Sequence, residues 1–175
     1  VPFILLGIII DCVGAGLITT LDVETPTIRW AAFLVINGIG IGMAQQLPYT
    51  ALQAVLDPLD VATGNAIAVF SFQLGGALGI AIGQNLFLNK LAQTVPGYTS
   101  ELSPEVVINA GAAGLVSLAQ SPELLLALRR AYAQAIRYTL ILPLVAACAA
   151  FLPEMGMDWL NIRHVAEARR ANTTD

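Results

Sequence analysis

Two apolar stretches, 38–53 and 64–84, each carry a stripe of glycine and glutamine. An amide in hydrocarbon costs free energy unless something pairs with it, and glycine lets a second helix approach closely. Such a stripe therefore faces protein or a water-filled cavity, and not acyl chains. A wet cavity between helices is how a solute path through a bilayer is built.

The rest of the chain fits that setting. Of its 175 residues 57% are hydrophobic and only 11% charged, with a mean hydropathy of +0.74. A soluble domain carries roughly 25% charged residues, so this chain cannot cover a globule with charge. A span needs about 20 largely apolar residues to cross about 30 Å of hydrocarbon. Candidate cores lie at Phe3 to Leu21, Trp30 to Leu47, Val61 to Leu88 and Ala133 to Leu152. The expected fold class is all-α, an integral membrane helical bundle of four spans (3–21, 30–56, 60–91 and 122–152). An extramembrane loop at 92–121 and a polar tail at 153–175 complete it.

The net charge of -4 collects in connections, at Asp22, Glu24, Asp57, Asp60, Glu101, Glu105 and Glu123. No basic run points to nucleic acid. Cys12 and Cys148 sit in apolar runs and read as small hydrophobic packing. The chain opens on Val1 and Pro2, and Asp11 interrupts the first run where a signal core would be uniform. It reads as the C-terminal piece of a longer polypeptide.

The first segment places Gly7, Asp11, Gly14, Ala15 and Ile18 at helical spacing, so its carboxylate shares a face with small residues. A short polar connection, Asp22 to Arg29, implies an antiparallel second span. In that span Gly38, Gly42, Gln45, Tyr49 and Gln53 follow steps of four, three, four and four, one continuous helical face flanked by Asn37 and Gln46. Pro48 removes an amide hydrogen and predicts a kink beside Ala44. In the third span Gly64, Ala68, Ser71, Gly75, Gly79 and Gly83 form a small-residue seam, with Asn65, Gln73 and Gly76 beside it. Asn89 and Lys90 are expected to reach water at its end. Pro96 and Gly97 break the chain, a weakly amphipathic helix follows over 103–120, and Ser121-Pro122-Glu123 starts the last helix, serine as cap.

The run GIGIGMAQQLPYTALQAVL from Gly38 to Leu56, followed by DVATGNAIAVFSFQLGGALGIAIGQNLFLNKL from Asp60 to Leu91, resembles the fungal fourteen-span drug:proton antiporters of the major facilitator superfamily. GAAGL from Gly111, the Tyr132 to Ala135 start of the last span, and GMDWLNIRH from Gly156 to His164 also look like that branch. The resemblance implies the C-terminal part of that fold, the last four spans of fourteen, with the second and third lining the central cavity. It implies efflux of amphipathic drugs or toxic metabolites in exchange for protons, in the plasma membrane, with no cofactor. It puts the Asp57 to Asp60 turn and the tail in the cytoplasm, although basic residues number three on that side (Arg163, Arg169, Arg170) and five on the other (Arg29, Lys90, Arg129, Arg130, Arg137). The partners implied are the lipid bilayer, an amphipathic small molecule, protons and the N-terminal spans that this chain lacks.

Candidate substrate contacts are Gln45, Gln46, Gln73 and Gln53, which can exchange hydrogen bonds with varied solutes, and Tyr49, Phe70 and Phe72, which offer an apolar lining. The competing reading is interhelical glue for the amides and lipid or helix contact for the rings. Gly38, Gly42, Gly75, Gly79 and Gly83 are expected to serve close, sliding helix packing. Asp11 is the one carboxylate deep in a span, a candidate for proton coupling set against a hydrogen-bonded packing acid. Gly38, Gly40 and Gly42 lack the strand and lysine-serine of a nucleotide loop, and the lone His164 has no metal partner at ligand spacing. No nucleophile is paired with a base, so catalysis is not expected. The rival from another class is a non-transporting four-span membrane subunit that packs against a partner chain.

Overall fold

The structure, a computed structural model, describes residues 2–156. Among these there are six helices and no strand: α1 Pro2–Ile18, α2 Thr27–Val55, α3 Val61–Tyr98, α4 Pro104–Leu118, α5 Pro122–Thr139 and α6 Ile141–Met155. The tail from Met157, with Arg163, His164, Arg169 and Arg170, and most of the GMDWLNIRH motif lie outside the described residues.

Thr27–Gln53, Val61–Tyr98 and Pro122–Pro153 are long and apolar enough to cross a membrane. The 38 residues of α3 extend about 57 Å at 1.5 Å per residue, well beyond the hydrocarbon. The 17 residues of α1 give about 26 Å, just short of it. The last expected span is assigned as two helices that meet at Leu140, which keeps right-handed helical angles (φ -67°, ψ -12°). Pro143, three residues on, has no N–H for the carbonyl of Thr139, and its ring crowds that carbonyl.

Contacts divide the chain into two compact units. The first comprises Val1–Gly14, Val35–Ala77 and the described residues from Val145. In it α1 and α2 run antiparallel and approach closely at three glycines. A Cβ on Gly14 would come within 2.6 Å of the Asn37 Cα, and one on Gly7 within 2.8 Å of the Met43 Cβ. One on Gly40 would overlap the backbone of Asp11. Ile4 and Ile8 are buried on the same face of α1. The α2–α3 turn closes through Asp60 N–H and Val61 N–H, both donating to the Asp57 carbonyl at 2.9 and 3.1 Å.

The second unit, Ala15–Leu34 with Leu78–Leu144, holds a side-chain core. Leu91 and Val95 of α3, Val107 and Leu115 of α4, and Leu124, Leu128, Ala131, Tyr132 and Ala135 of α5 form one buried cluster. Tyr132 donates its hydroxyl to the Val107 carbonyl at 3.1 Å, and its ring tilts against Phe87 with centroids 5.7 Å apart. This cluster explains why α3 runs on to Tyr98 where the sequence expected exit at 92. Leu91, Thr94 and Val95 are buried in it, and packing carries the helix through Pro96 for its last turn. Lys90 accordingly lies inside the helix, its ammonium 3.8 Å from the centre of the Tyr138 ring, and is not a solvated terminus.

The helix expected over 103–120 is α4, bent at Gly111, whose φ of 65° and ψ of 178° suit a residue without a Cβ. The expected start of the last helix is present: Leu124 N–H donates to Ser121 Oγ at 3.1 Å, with Pro122 in the first turn.

Leu128 is completely buried at the centre of the cluster. Leu128→Ala is expected to cost about 2–5 kcal/mol through lost contacts and a residual cavity. Thermal unfolding of the purified protein in detergent checks this, and an unchanged midpoint would remove the cluster as a stabilising core.

Candidate functional site

The candidate residues follow from the two faces of α2. A helix turns about 100° per residue, so Gly40 points away from Gly38 and Gly42 by well over a right angle. Gly40, Asn37 and Ala44 form the face against α1, where the missing Cβ atoms bring two backbones together. Gly38, Gly42, Gln45, Tyr49 and Gln53 form the opposite face. A Cβ on Gly38 or Gly42 would meet nothing within 4 Å, and Gln45, Gln46 and Gln53 are exposed while Tyr49 is half-buried. The packing glycines within this unit are therefore Gly7, Gly14, Gly40 and Gly64; the sequence pattern already puts Gly7 and Gly14 on the small-residue face of the first span and Gly64 in the α3 seam, and gives Gly40 no packing role.

The α3 seam is touched only toward its ends. Gly64 lies against the side chains of Leu52 and Leu56, and Gly83 sits at ordinary contact distance, 3.8 and 3.9 Å, from Thr139 and Leu142 methyls. Gly75 and Gly79 between them meet nothing within 4 Å. Every residue from Val69 to Ile82 is exposed, including Phe70 at 66%, Phe72 at 51% and Gln73. None of the most apolar window of α3 is buried (0%).

Among the described residues no hydrogen bond joins Gln45, Gln46, Gln53 or Gln73 side chains to any other group. Thr50 Oγ1 donates to the Gln46 backbone carbonyl at 3.3 Å, one turn back across Pro48, and α2 remains helical through that proline. The buried Oδ1 of Asn65 accepts no hydrogen bond among the described residues.

Asp11 differs from these amides. Its Oδ1 accepts a 2.8 Å hydrogen bond from Asn37 Nδ2, held where Gly40 and Gly14 draw the two helices together. The geometry is that of a packing acid with a dedicated donor. Beside it Cys12 Sγ lies 3.8 Å from Cys148 Sγ of α6, both thiols free. No group of three or more potential metal ligands occurs among the described residues.

The sequence matches fungal membrane proteins along most of its length. The MFS-type efflux pump MFS1 of Arthroderma benhamiae is 35% identical over 162 residues, 93% of this chain and 30% of the pump. The efflux pump aflT of Aspergillus parasiticus is 33% identical over 167 residues, 93% of this chain and 32% of that protein. The chain belongs to the fungal efflux-pump branch of the major facilitator superfamily.

The MFS-type transporter astH of Aspergillus oryzae adds 32% identity over 162 residues, 93% of this chain and 28% of its own length. This MFS chain thus spans about a third of the length of the curated relatives it matches. No family model matches it, and no solved structure does. Family membership together with the three long apolar helices makes it an all-α integral membrane protein, and the family is one of transporters and not of enzymes.

The two glycine populations on α2 separate experimentally. Gly40→Val forces a branched side chain into the Asp11 backbone and is expected to abolish accumulation of the protein in the membrane. Gly42→Ala, on the open face, is expected to leave accumulation unchanged. Quantitative immunoblotting of membrane fractions reads both, and equal amounts of the two variants would contradict the helix pairing.

Proposed function

We propose that the chain is the C-terminal portion of a proton-coupled exporter of amphipathic drugs or toxic metabolites in the plasma membrane, with α2 and α3 on the solute path. The observation that carries this reading is the second face of α2 and the middle of α3, where amides and glycines stand uncovered by their own chain. Unpaired amides at membrane depth need water, solute or another protein surface. The curated relatives are named as efflux pumps and are about three times as long, which supports further spans as the other wall.

In this reading Gln45, Gln46, Gln53 and Gln73 exchange hydrogen bonds with solute, while Tyr49, Phe70 and Phe72 supply apolar lining. Gly38, Gly42, Gly75, Gly79 and Gly83 let neighbouring spans slide as the two helical halves alternate access. Asp11, bonded to Asn37, holds α1 on α2 and is not the proton carrier.

Efflux from a drug-sensitive host expressing the complete gene tests the proposal, with and without a proton gradient. Extrusion is expected to stop when the gradient is collapsed. Gln45→Ala, Gln46→Ala or Gln73→Ala is expected to weaken substrate use several-fold, the scale of one lost hydrogen bond of about 1 kcal/mol. Gly79→Leu is expected to abolish efflux at normal protein level. Efflux indifferent to all of these would remove α2 and α3 from the path.

Asp11→Asn keeps an acceptor for Asn37 and is expected to leave proton-driven efflux intact. Loss of efflux with normal accumulation would instead make Asp11 the proton carrier.

A further inference from the structure

A polar recess of about 630 Å³ lies in the second unit, bordered by the α1–α2 connection, the last turn of α3, the second half of α5 and the start of α6. Asp22, Glu24, Arg130 and Arg137 line it, two acids and two guanidiniums, so the formal charge of its wall is balanced. Val23 and Ile141, 38% and 45% exposed, stand beside them. Charges next to exposed apolar side chains, at points where helices end, suit the level of lipid headgroups.

The charged groups retain unused bonding capacity. Arg137 donates Nε to the Thr19 carbonyl at 3.1 Å, and its two terminal amino groups make no hydrogen bond among the described residues. Arg130 holds Glu24 through a single 3.2 Å contact, with the side chains 48% and 79% exposed, and an exposed pair of this kind is weak and easily exchanged. Asp22 Oδ1 accepts the Val23 N–H at 2.7 Å, leaving Oδ2 without a partner among the described residues. Lys90 stands over the ring of Tyr138, which also borders the recess.

We propose that this recess binds the headgroup of a zwitterionic phospholipid, a phosphate ester carrying an ammonium group. Arg137, joined by Arg130, takes the phosphate through forked N–H donors. Asp22 and the released Glu24 take the ammonium, and Val23 and Ile141 meet the start of the acyl chains. A purely anionic headgroup would satisfy the arginines but leave both carboxylates facing further negative charge. The balanced wall therefore selects the zwitterion.

The test is native mass spectrometry of the intact protein released from nanodiscs of equimolar phosphatidylethanolamine and phosphatidylglycerol. The wild-type protein is expected to retain phosphatidylethanolamine preferentially. Arg137→Gln is expected to reduce that retention about tenfold, the scale of a lost charge-assisted bond, and Arg137→Lys to restore part of it. Asp22→Asn, which keeps the acceptor for Val23 N–H, is expected to erase the preference over phosphatidylglycerol while total lipid retention persists, a result that misfolding would not give. Equal retention of both lipids by the wild type, or retention unchanged in all three variants, overturns the proposal. Displacement of the lipid by free millimolar O-phosphoethanolamine assigns the recess to soluble zwitterions and overturns the lipid assignment.

Discussion

A backbone amide in hydrocarbon has no water to bond to, and every feature of this chain follows from that constraint. It forces continuous helices, which satisfy their own main chain, and it makes each polar side chain within them a question of where its partner is. The structure gives two answers. Asp11 and Asn37 pair with each other at 2.8 Å, and Tyr132 bonds the Val107 carbonyl at 3.1 Å. Gln45, Gln46, Gln53 and Gln73 form no side-chain bond among the described residues and stand exposed.

The two units reach compactness by different means. The first brings backbones together by removing side chains at Gly7, Gly14 and Gly40, so that short polar groups can meet across the contact. The second interlocks large side chains, Leu91 and Val95 against Leu128 and Tyr132. Attraction between helices in lipid comes from close packing and hydrogen bonds, with no hydrophobic drive between apolar surfaces, and the glycine contact suits that medium. The leucine-rich cluster includes α4, where the chain bends at Gly111, and there the ordinary burial of apolar surface contributes.

Much of this was legible in the sequence. The four-three-four steps of glycine and glutamine mark α2 and α3, and serine before proline and glutamate marks the start of α5. Gly7, Gly14 and Gly64 are legible as packing positions from their small-residue faces, but Gly40 is not, because periodicity states which residues share a face and is silent on which face of α2 finds a neighbour. One signal was available: in an antiparallel hairpin, residues equidistant from the turn oppose each other. A turn centred on Thr25 and Pro26 sets Gly14 against Asn37, Asp11 against Gly40 and Gly7 against Met43, the contacts the structure contains. The extension of α3 to Tyr98 was harder to foresee, since Pro96 and Gly97 argue for a stop and only packing of Leu91, Thr94 and Val95 overrides them.

The two faces of α2 also bear on how such a helix can work. One face is fixed: the backbone contact at Gly40 leaves no room to slide without a clash, and the Asp11–Asn37 bond adds a directional restraint. The other face, with Gly38 and Gly42, is free of its own chain and smooth enough for a neighbour to move across it. In the exporter proposed above, a helix anchored on one side and smooth on the other would carry a rigid partner, α1, through a change of access while a different surface slides past. The asymmetry resides in the placement of three glycines, two on one face and one on the other. A bulky residue at position 40 should therefore disturb assembly, and one at position 42 should disturb motion while assembly survives.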